Sequence, residues 1–216
     1  GIQVTLYTGG GILKGSILTT NNPFTGLAGW YEFDNLIPGD YKVEFTKGAY
    51  DKFSPRDQGT NNAKDSDADE ITGLTIVTTL ISGENDKSWD AGLYNFASIG
   101  DYVWEDFNAN GIQNIGETGI DGIQVTLYTG TGMVVSTTTT AFNPTFGQAG
   151  WYEFANLIPG DYSVKFIKGA YDKFSPKDQG TNEAQDSDAD EVTGSTIVTT
   201  LTSGENDITW DAGIYN

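Results

Sequence analysis

Apolar and polar residues alternate along several short stretches of the chain. The segments 123–129 and 162–167 show the alternation best, with apolar residues at every second position. A period of two residues is that of a half-buried β-strand, and the spacing of an amphipathic helix is sustained nowhere. Glycine-rich or Pro-Gly turns such as IPGD and SGEND lie between these stretches. The pattern therefore predicts an all-β chain of short strands.

The second half of the chain illustrates the predicted element order. Its predicted strands are Ile99–Glu105, Ile123–Thr129, Met133–Thr140, Trp151–Phe154, Tyr162–Ile167, Thr196–Leu201 and Thr209–Tyr215. About seven short strands in a unit of this size are typical of an immunoglobulin-like Greek-key β-sandwich. We therefore predict tandem sandwich domains of this class.

An internal repeat defines those domains. Three identical stretches recur at an interval of 121 residues: GIQVTLYTG from Gly1 and Gly122, WYEF from Trp30 and Trp151, and WDAG from Trp89 and Trp210. Of the 95 aligned pairs, 69 are identical, so the presence of a residue in both copies says little about its function. We predict a first repeat at 1–95 and a complete second repeat at 96–216. The first repeat has no counterpart of 96–121, and we expect its sheet to have an exposed edge.

The differences between the copies concentrate at Ile12–Leu18 and at its counterpart Met133–Thr139. Such a concentration indicates an exposed hairpin or a sheet edge in each copy.

Composition limits the chemistry that the chain can perform. It has 37% hydrophobic residues and a formal net charge of −19, so the charge lies on a folded body that repels phosphates and anionic membranes. We therefore predict no nucleic-acid partner, and no apolar run is long enough to insert into a membrane. Without Cys or His, disulfides, thiol nucleophiles, zinc sites and imidazole bases are excluded. The metal ligands that remain available to the chain are oxygen atoms.

One polar segment has the spacing of a calcium loop. From Asp106 the sequence reads D-x-N-x-N-G-x-x-x-x-x-E, the spacing of an EF-hand loop, although a strand precedes it. The candidate ligands are Asp106, Asn108, Asn110, the Ile112 carbonyl, Asn114 and Glu117. Because only two of them are carboxylates, we expect a Ca²⁺ affinity near the roughly 10⁻⁴ to 10⁻³ M of extracellular modules. The alternative is an Asn/Gly-rich turn without a metal.

A second acidic motif, DSDADE, occurs in both copies after SPxDQGTN. If the motif were extended, its alternate carboxylates would lie on one side, where a cation would relieve their repulsion. The candidate ligands are Asp178, Asp186, Asp188 and Asp190 in the second copy, and Asp57, Asp65, Asp67 and Asp69 in the first. A solvated acidic loop is the alternative.

Catalysis has no support in the sequence. Without His the usual triads cannot form, G-x-S-x-G and P-loop motifs are absent, and a small sandwich offers little concavity for paired carboxylates. We predict that the chain is not an enzyme. A set of aromatic residues could stack on sugars, although core packing is the commoner role: Trp30, Trp151, Phe142, Phe146, Tyr171 and Phe174.

Long ordered motifs give the chain a family resemblance. SIGDYVWEDFNANGIQNIGETGIDGIQVTLYT, GWYEFANLIPGDYSVKF, DSDAD and GENDITWDAGIY closely resemble the B-type repeats of bacterial serine-aspartate repeat surface proteins. The resemblance implies a Cna B-like sandwich outside the cell that binds calcium and serves as a stalk or spacer. The family's D-x-N-x-D-G loop falls on Asp106, Asn108, Asn110 and Gly111. Related domains carry a Lys to Asn crosslink, and because 99–105 contains no Lys we predict none.

Three hypotheses follow for function. The first is a calcium-stabilised structural repeat of a cell-surface or secreted fibre, with neighbouring repeats of the same chain as partners. The second is an adhesive module that binds polysaccharide or a host protein through exposed aromatic residues. The third is a self-assembling homopolymer in which the exposed edge of the first copy accepts a strand from another subunit.

Overall fold

The computed structural model describes all residues from Gly1 to Asn216. The chain forms two compact units, Gly1–Asn95 and Phe96–Asn216. Regular structure in both units consists of β-strands, and no helix is present that could span a membrane.

The first unit contains eight strands, most of them short. They are β1 Gln3–Thr8, β2 Leu13–Leu18, β3 Thr20–Asn21, β4 Ala28–Trp30, β5 Gly39–Phe45, β6 Lys52–Phe53, β7 Thr78–Leu80 and β8 Leu93–Tyr94. Four strands form a sheet in the order β2-β1-β5-β7, and β3-β4 and β6-β8 form separate pairs. The first unit therefore has one continuous sheet, and its second layer consists of short pieces.

The second unit has two complete layers. Its strands are β9 Ala97–Glu105, β10 Gln124–Thr129, β11 Val134–Thr139, β12 Ala141–Asn143, β13 Gln148–Leu157, β14 Gly160–Phe166, β15 Lys173–Phe174, β16 Thr199–Leu201, β17 Asn206–Asp207 and β18 Ala212–Tyr215. One sheet has the order β11-β10-β14-β16, and the other has the order β12-β13-β9-β18-β15 with β17 also paired to β9.

The core of the second unit lies between these sheets. Val125 and Leu127 of β10 and Val164 and Phe166 of β14 are buried in one cluster with residues of β9, β13 and β18. Their alternation with more exposed neighbours is what the sequence predicts for a strand with one face in the core. The predicted immunoglobulin-like sandwich is confirmed.

All seven predicted strands of the second unit are present, and each begins or ends at a different residue from the one predicted. β13 is longer than predicted, because ladder pairing with β9 continues to Leu157. The short strands β12, β15 and β17 were not predicted, since two or three residues carry no periodic signal. The variable hairpin segments form β2 and β11, which are edge strands as expected.

Candidate functional site

The predicted calcium loop lies between the first two strands of the second unit. It follows the end of β9 at Glu105, and the next strand begins at Gln124. Asp106 is only 1% exposed, which is unusual for a carboxylate. The loop therefore starts inside the protein and not on its surface.

Backbone amides surround the Asp106 carboxylate. The Gly111 N–H donates to one oxygen at 2.8 Å, and the Asn110 N–H donates to the other at 3.2 Å. Gly111 has a φ of +77°, and a Cβ there would lie 2.1 Å from the Pro176 carbonyl oxygen. Any residue but glycine would clash with the backbone at this bend.

The other side chains of the loop converge on Asn114. The amide nitrogens of Asn108 and Asn110 donate to Asn114 Oδ1 at 2.7 and 3.0 Å. Glu117 accepts the Asn114 N–H at 2.7 Å with one oxygen and the Phe107 N–H at 3.1 Å with the other. Five of the six predicted ligands thus belong to one hydrogen-bonded loop. The sixth is a backbone carbonyl, and Ile112 donates its N–H to Asn110 Oδ1 at 2.9 Å.

The loop is attached to the second acidic motif. Gln113 N–H donates to the Gln185 carbonyl at 2.7 Å, and Ser187 N–H donates to the Gly111 carbonyl at 3.0 Å. Asp186 lies opposite Ile112 in this short bridge. It is 3% exposed, and its Oδ1 atom has no hydrogen-bond donor. The two acidic motifs of the second unit are therefore neighbours, which their separation in the sequence did not indicate.

The four aspartates predicted for a second site in this unit lie in different surroundings. Asp188 is buried and accepts the Asp211 N–H at 2.7 Å. Asp190 is exposed and accepts N–H groups of Val192 and Thr193, so it stabilises a turn. Asp178 is exposed and pairs with Lys177 at 3.4 Å. The motif does not form a strand. Contrary to the expectation for an extended segment, its alternate carboxylates do not share one exposed face.

The first unit repeats this arrangement. Asp67 is buried and accepts the Asp90 N–H at 2.8 Å, and Asp69 accepts N–H groups of its own turn. Asp57 pairs with Arg56 at 3.3 Å, and Asp65 Oδ1 is buried without a donor. No group of three or more Asp or Glu side chains in the chain is placed to hold a metal ion. The 106–117 loop remains a candidate metal site because its asparagine side chains supply oxygen ligands in addition to its carboxylates, which the other acidic segments do not have.

A cluster of carboxylates joins the half-buried Asp101 of β9 to the buried Asp188 and Asp211, and sequence reasoning missed most of it. Asp211 accepts the Tyr102 N–H at 3.1 Å with Oδ1, its Oδ2 is buried without a hydrogen-bond partner, and the half-buried Asp101 carboxyl is close enough to interact with it. Burial raises the pKa of Asp101 to about 7 and that of Asp188 to about 8. Burial is the main cause that raises the pKa of Asp211 well above its ordinary value, and the negative charges of Asp101 and Asp188 raise it further. The raised pKa values of Asp101 and Asp211 mean that burial and mutual repulsion favour the protonated carboxyl at this position.

One signal in the sequence could have revealed Asp101. It alternates with Ile99 and Val103, both fully buried, and therefore occupies a core-facing position of the strand. An acidic residue at such a position breaks the apolar pattern of the strand. Its carboxyl group is removed from water and therefore needs a hydrogen-bonding or charged partner.

The candidate aromatic surface divides into buried and exposed rings. Phe174 is buried and Tyr171 packs against the core. Phe142 and Phe146 are 57% and 58% exposed, and the Phe146 ring lies 4.9 Å from the half-buried Trp151 ring. A small exposed aromatic group is therefore present in the second unit.

The fold and the loop define a class: tandem all-β sandwich repeats, one of which has an oxygen-rich loop after its first strand. A family model described as the SdrD B-like domain matches residues 1–93 and 97–214. The chain belongs to the SdrD B-like domain family, which confirms the resemblance seen in the sequence.

Relatives come from staphylococci. Serine-aspartate repeat-containing protein F of Staphylococcus epidermidis is 35% identical over 195 residues, covering 88% of this chain and 11% of that protein. Serine-aspartate repeat-containing protein D of Staphylococcus aureus strain Newman is 36% identical over 191 residues, covering 87% and 13%. A fibrinogen-binding protein of Staphylococcus epidermidis is 37% identical over 177 residues, covering 81% and 15%. The chain thus spans a small part of these relatives.

A solved structure with partial likeness is the minor pilin GBS52 of Streptococcus agalactiae. It has a TM-score of 0.32 and 12% identity over 100% of this chain and 84% of that one, too little to support an argument. The family membership itself places the chain among extracellular, surface-associated repeats. Its coarse role is that of a structural module of an adhesin-type surface protein.

Proposed function

We propose that the chain is a non-enzymatic spacer of a surface fibre, and that calcium stabilises its second unit. The observation that carries the proposal is the single hydrogen-bonded loop formed by Asp106, Asn108, Asn110, Asn114 and Glu117. Neighbouring repeats of the same chain are the natural partners of such a spacer.

The donor set fits a calcium ion. It consists of carboxylate and amide oxygens with the Ile112 carbonyl, the ligand types that a hard cation prefers. The N–H groups that donate to Asp106 and Glu117 use only part of each carboxylate's acceptor capacity. The amide nitrogens that now contact Asn114 Oδ1 would need to turn away, because they carry hydrogens.

Calcium would act on stability and not on a reaction. Its positive charge would attract both the buried Asp106 carboxylate and the Glu117 carboxylate eleven residues later. Because the ion would hold the two ends of the loop together, the loop would resist opening. The loop's backbone bonds to 185–187 would connect this effect to the body of the sandwich. At a free calcium concentration of ten times Kd, an ion bound only by the folded state adds about 1.4 kcal/mol.

Calcium titration tests this function. We expect isothermal titration calorimetry of the 216-residue chain to show one ion at the loop, and chelation to lower the Tm of the second unit alone. Glu117→Gln should weaken binding because Gln has a single side-chain acceptor. Asn110→Asp should strengthen it about tenfold or more, because it adds a third carboxylate.

Asn182→Asp provides a control for the gain-of-affinity variant. It adds the same charge on an exposed residue of the same unit but outside the loop, and calcium affinity should stay unchanged. Identical melting curves with calcium and with chelator, together with no calorimetric signal for Asn110→Asp, would exclude calcium from the function.

An adhesive role is a second candidate, supported by the exposed rings of Phe142 and Phe146 beside the half-buried ring of Trp151. Stacking of a sugar or an apolar side chain on these rings would suit an extracellular module. If the group binds polysaccharide or protein, Phe142→Ala with Phe146→Ala should abolish retention of the chain on an immobilised ligand without changing its Tm. Phe107→Ala, also exposed but outside this group, is the control. Equal retention of all variants would reject the adhesive role.

A further inference from the structure

An Asn-Gly pair lies in the middle of the candidate metal loop. Asn110 followed by Gly111 is the only such pair in the sequence. An asparagine before a glycine is prone to deamidation, because a following residue without a side chain leaves its backbone nitrogen free to attack the asparagine amide. Asn108 of the same loop precedes Ala109, whose methyl group hinders that attack. The loop therefore contains one chemically reactive asparagine.

The reaction needs water and no enzyme. The Gly111 nitrogen gives up its proton and attacks Cγ of Asn110, and the new C–N bond closes a succinimide ring. The bond from Cγ to Nδ2 breaks, and ammonia leaves with the proton that the glycine nitrogen lost. Water then opens the ring at one of its two carbonyls. The product is either an aspartate at position 110 or an isoaspartate, whose main chain runs through the former side chain.

Hydrogen bonds of the closed loop hold the groups that take part in this reaction. The Gly111 N–H donates to Asp106 Oδ2 at 2.8 Å. Loss of its proton would place a negative nitrogen beside a carboxylate, which is unfavourable. The leaving nitrogen, Asn110 Nδ2, donates to Asn114 Oδ1 at 3.0 Å, and Asn110 Oδ1 accepts the Ile112 N–H at 2.9 Å. The closed loop therefore protects Asn110.

This protection lasts only while the loop is closed. Asn108 and Asn110 are exposed, so water competes for the hydrogen bonds of their side chains. The apolar side chains of Phe107 and Ile115 are also exposed and add little packing that would keep the loop closed. Segments with few buried apolar contacts and exposed hydrogen bonds open locally at a low cost in free energy. Asn110 would react in the fraction of chains whose loop is open.

We propose that Asn110 is a site of spontaneous deamidation that the closed loop suppresses, and that the aspartate product binds calcium more tightly than the encoded asparagine. The second part rests on the calcium function proposed above, whereas the first part rests on the hydrogen bonds of the loop. An aspartate at position 110 would join the carboxylates of Asp106 and Glu117, and a third carboxylate raises the affinity of an oxygen site for calcium.

The isoaspartate product should have the opposite effect. It adds a carbon atom to the main chain directly before Gly111, where a Cβ would already lie 2.1 Å from the Pro176 carbonyl oxygen. The bend has no room for the longer main chain, so the Gly111 N–H would lose its contact with Asp106. Chains kept without calcium would therefore divide with time into tighter and weaker binders.

Mass spectrometry of the aged chain tests the modification site. The 216-residue chain is incubated in mildly alkaline buffer with calcium, with chelator, or with chelator and denaturant, and is then digested. The peptide that contains position 110 is examined for replacement of NH₂ by OH. We expect deamidation in denaturant, a rate at least about tenfold lower in the folded chain with chelator, and a still lower rate with calcium. Asn108 and Asn182 should remain largely unmodified over the same time.

Variants test whether the hydrogen bonds cause the protection. Asp106→Ala removes the acceptor of the Gly111 N–H, and Asn114→Ala removes the acceptor of the Asn110 amide. Both should raise the rate in the folded chain with chelator toward the rate in denaturant. Asn182→Ala, at an exposed residue outside the loop, should leave the rate unchanged. Because Asn114 is only half-buried, Asn114→Ala keeps the test decisive if Asp106→Ala unfolds the unit.

The outcomes for the two parts of the proposal are distinguishable. Absence of deamidation in denaturant, or equal rates in the folded and the denatured chain, would overturn the modification site. Calcium titration of the separated products tests the second part: the aspartate form should bind about tenfold or more tightly than the unmodified chain, and the isoaspartate form more weakly. Equal affinities would overturn that part. If the folded chain is protected but calcium neither binds nor changes the rate, the modification site stands and the calcium function fails.

Discussion

Replacing Trp104 with alanine is expected to unfold the second unit or to leave it marginally stable, without affecting the first. Trp104 is 0% exposed, and its ring lies against Gly213 at the end of the sandwich. Truncation of a buried Trp to Ala costs about 3–5 kcal/mol, a large part of the roughly 5–15 kcal/mol that holds a domain folded. Hydrogen exchange can follow the units separately, through the amides of Val125 and Leu127 and those of Val4 and Leu6.

Two further variants separate packing from other effects at this position. The Trp104 indole N–H is buried without an acceptor, so Trp104→Phe removes that unpaired donor and should cost less than Trp104→Ala. Phe107→Ala, three residues away and 63% exposed, should change the unfolding free energy by no more than about 0.5 kcal/mol. Equal effects of Trp104→Ala and Phe107→Ala would show that the core does not depend on this ring.

The sheet layers could be predicted from the sequence because burial in them follows a period of two. Val125 and Leu127, or Val164 and Phe166, are separated by one residue and face the same core. The second layer of the first unit could not be predicted in the same way. Residues 30–36 are nearly identical to 151–157, yet only the latter form a continuous strand. In the second unit 151–157 pair with β9, a long-range contact that no local pattern reports.

The candidate metal site, like the fold, could be predicted from the sequence only in part. The spacing from Asp106 to Glu117 predicts a calcium loop. In the structure these residues are joined by hydrogen bonds, and calcium binding stays a prediction. Its attachment to residues 185–187 depends on tertiary contacts across about 75 positions, which spacing cannot report. The carboxyl pair of Asp101 and Asp211 likewise arises because the first and last strands of the unit are parallel neighbours.

The second large prediction concerns the half-buried Asp101 and the buried Asp211. Their folded-state pKa values are raised, so the folded chain binds protons more tightly than the unfolded chain does. This contribution to stability is complete below the unfolded value near 4 and is lost as the pH rises through the folded values. Since Asp101 titrates near 7 and Asp188 near 8, the unfolding free energy of the second unit should fall between about pH 5 and pH 8.

Asp211→Asn should remove much of this dependence. Asn can still accept the Tyr102 N–H, and because its amide is neutral no proton has to be bound to remove a buried charge. Asp186, Asp188 and Asp207 also face this cluster, and removing one charge reduces their mutual repulsion. In chelator at about pH 7.5 we expect Asn to stabilise the second unit by on the order of 2 kcal/mol, with little change at about pH 5.

Asp90→Asn is the matched control, because Asp90 occupies in the first repeat the position of Asp211 in the second. Burial, with the charges of Asp67 and Asp65, raises its pKa only to about 6, so its removal should stabilise the first unit by less. Denaturant unfolding at several pH values, followed by hydrogen exchange in each unit, measures both effects. If Asp211→Asn destabilised the second unit equally at pH 5 and pH 7.5, the folded protein would depend on the ionised Asp211 carboxylate, and the prediction from its raised pKa would be wrong.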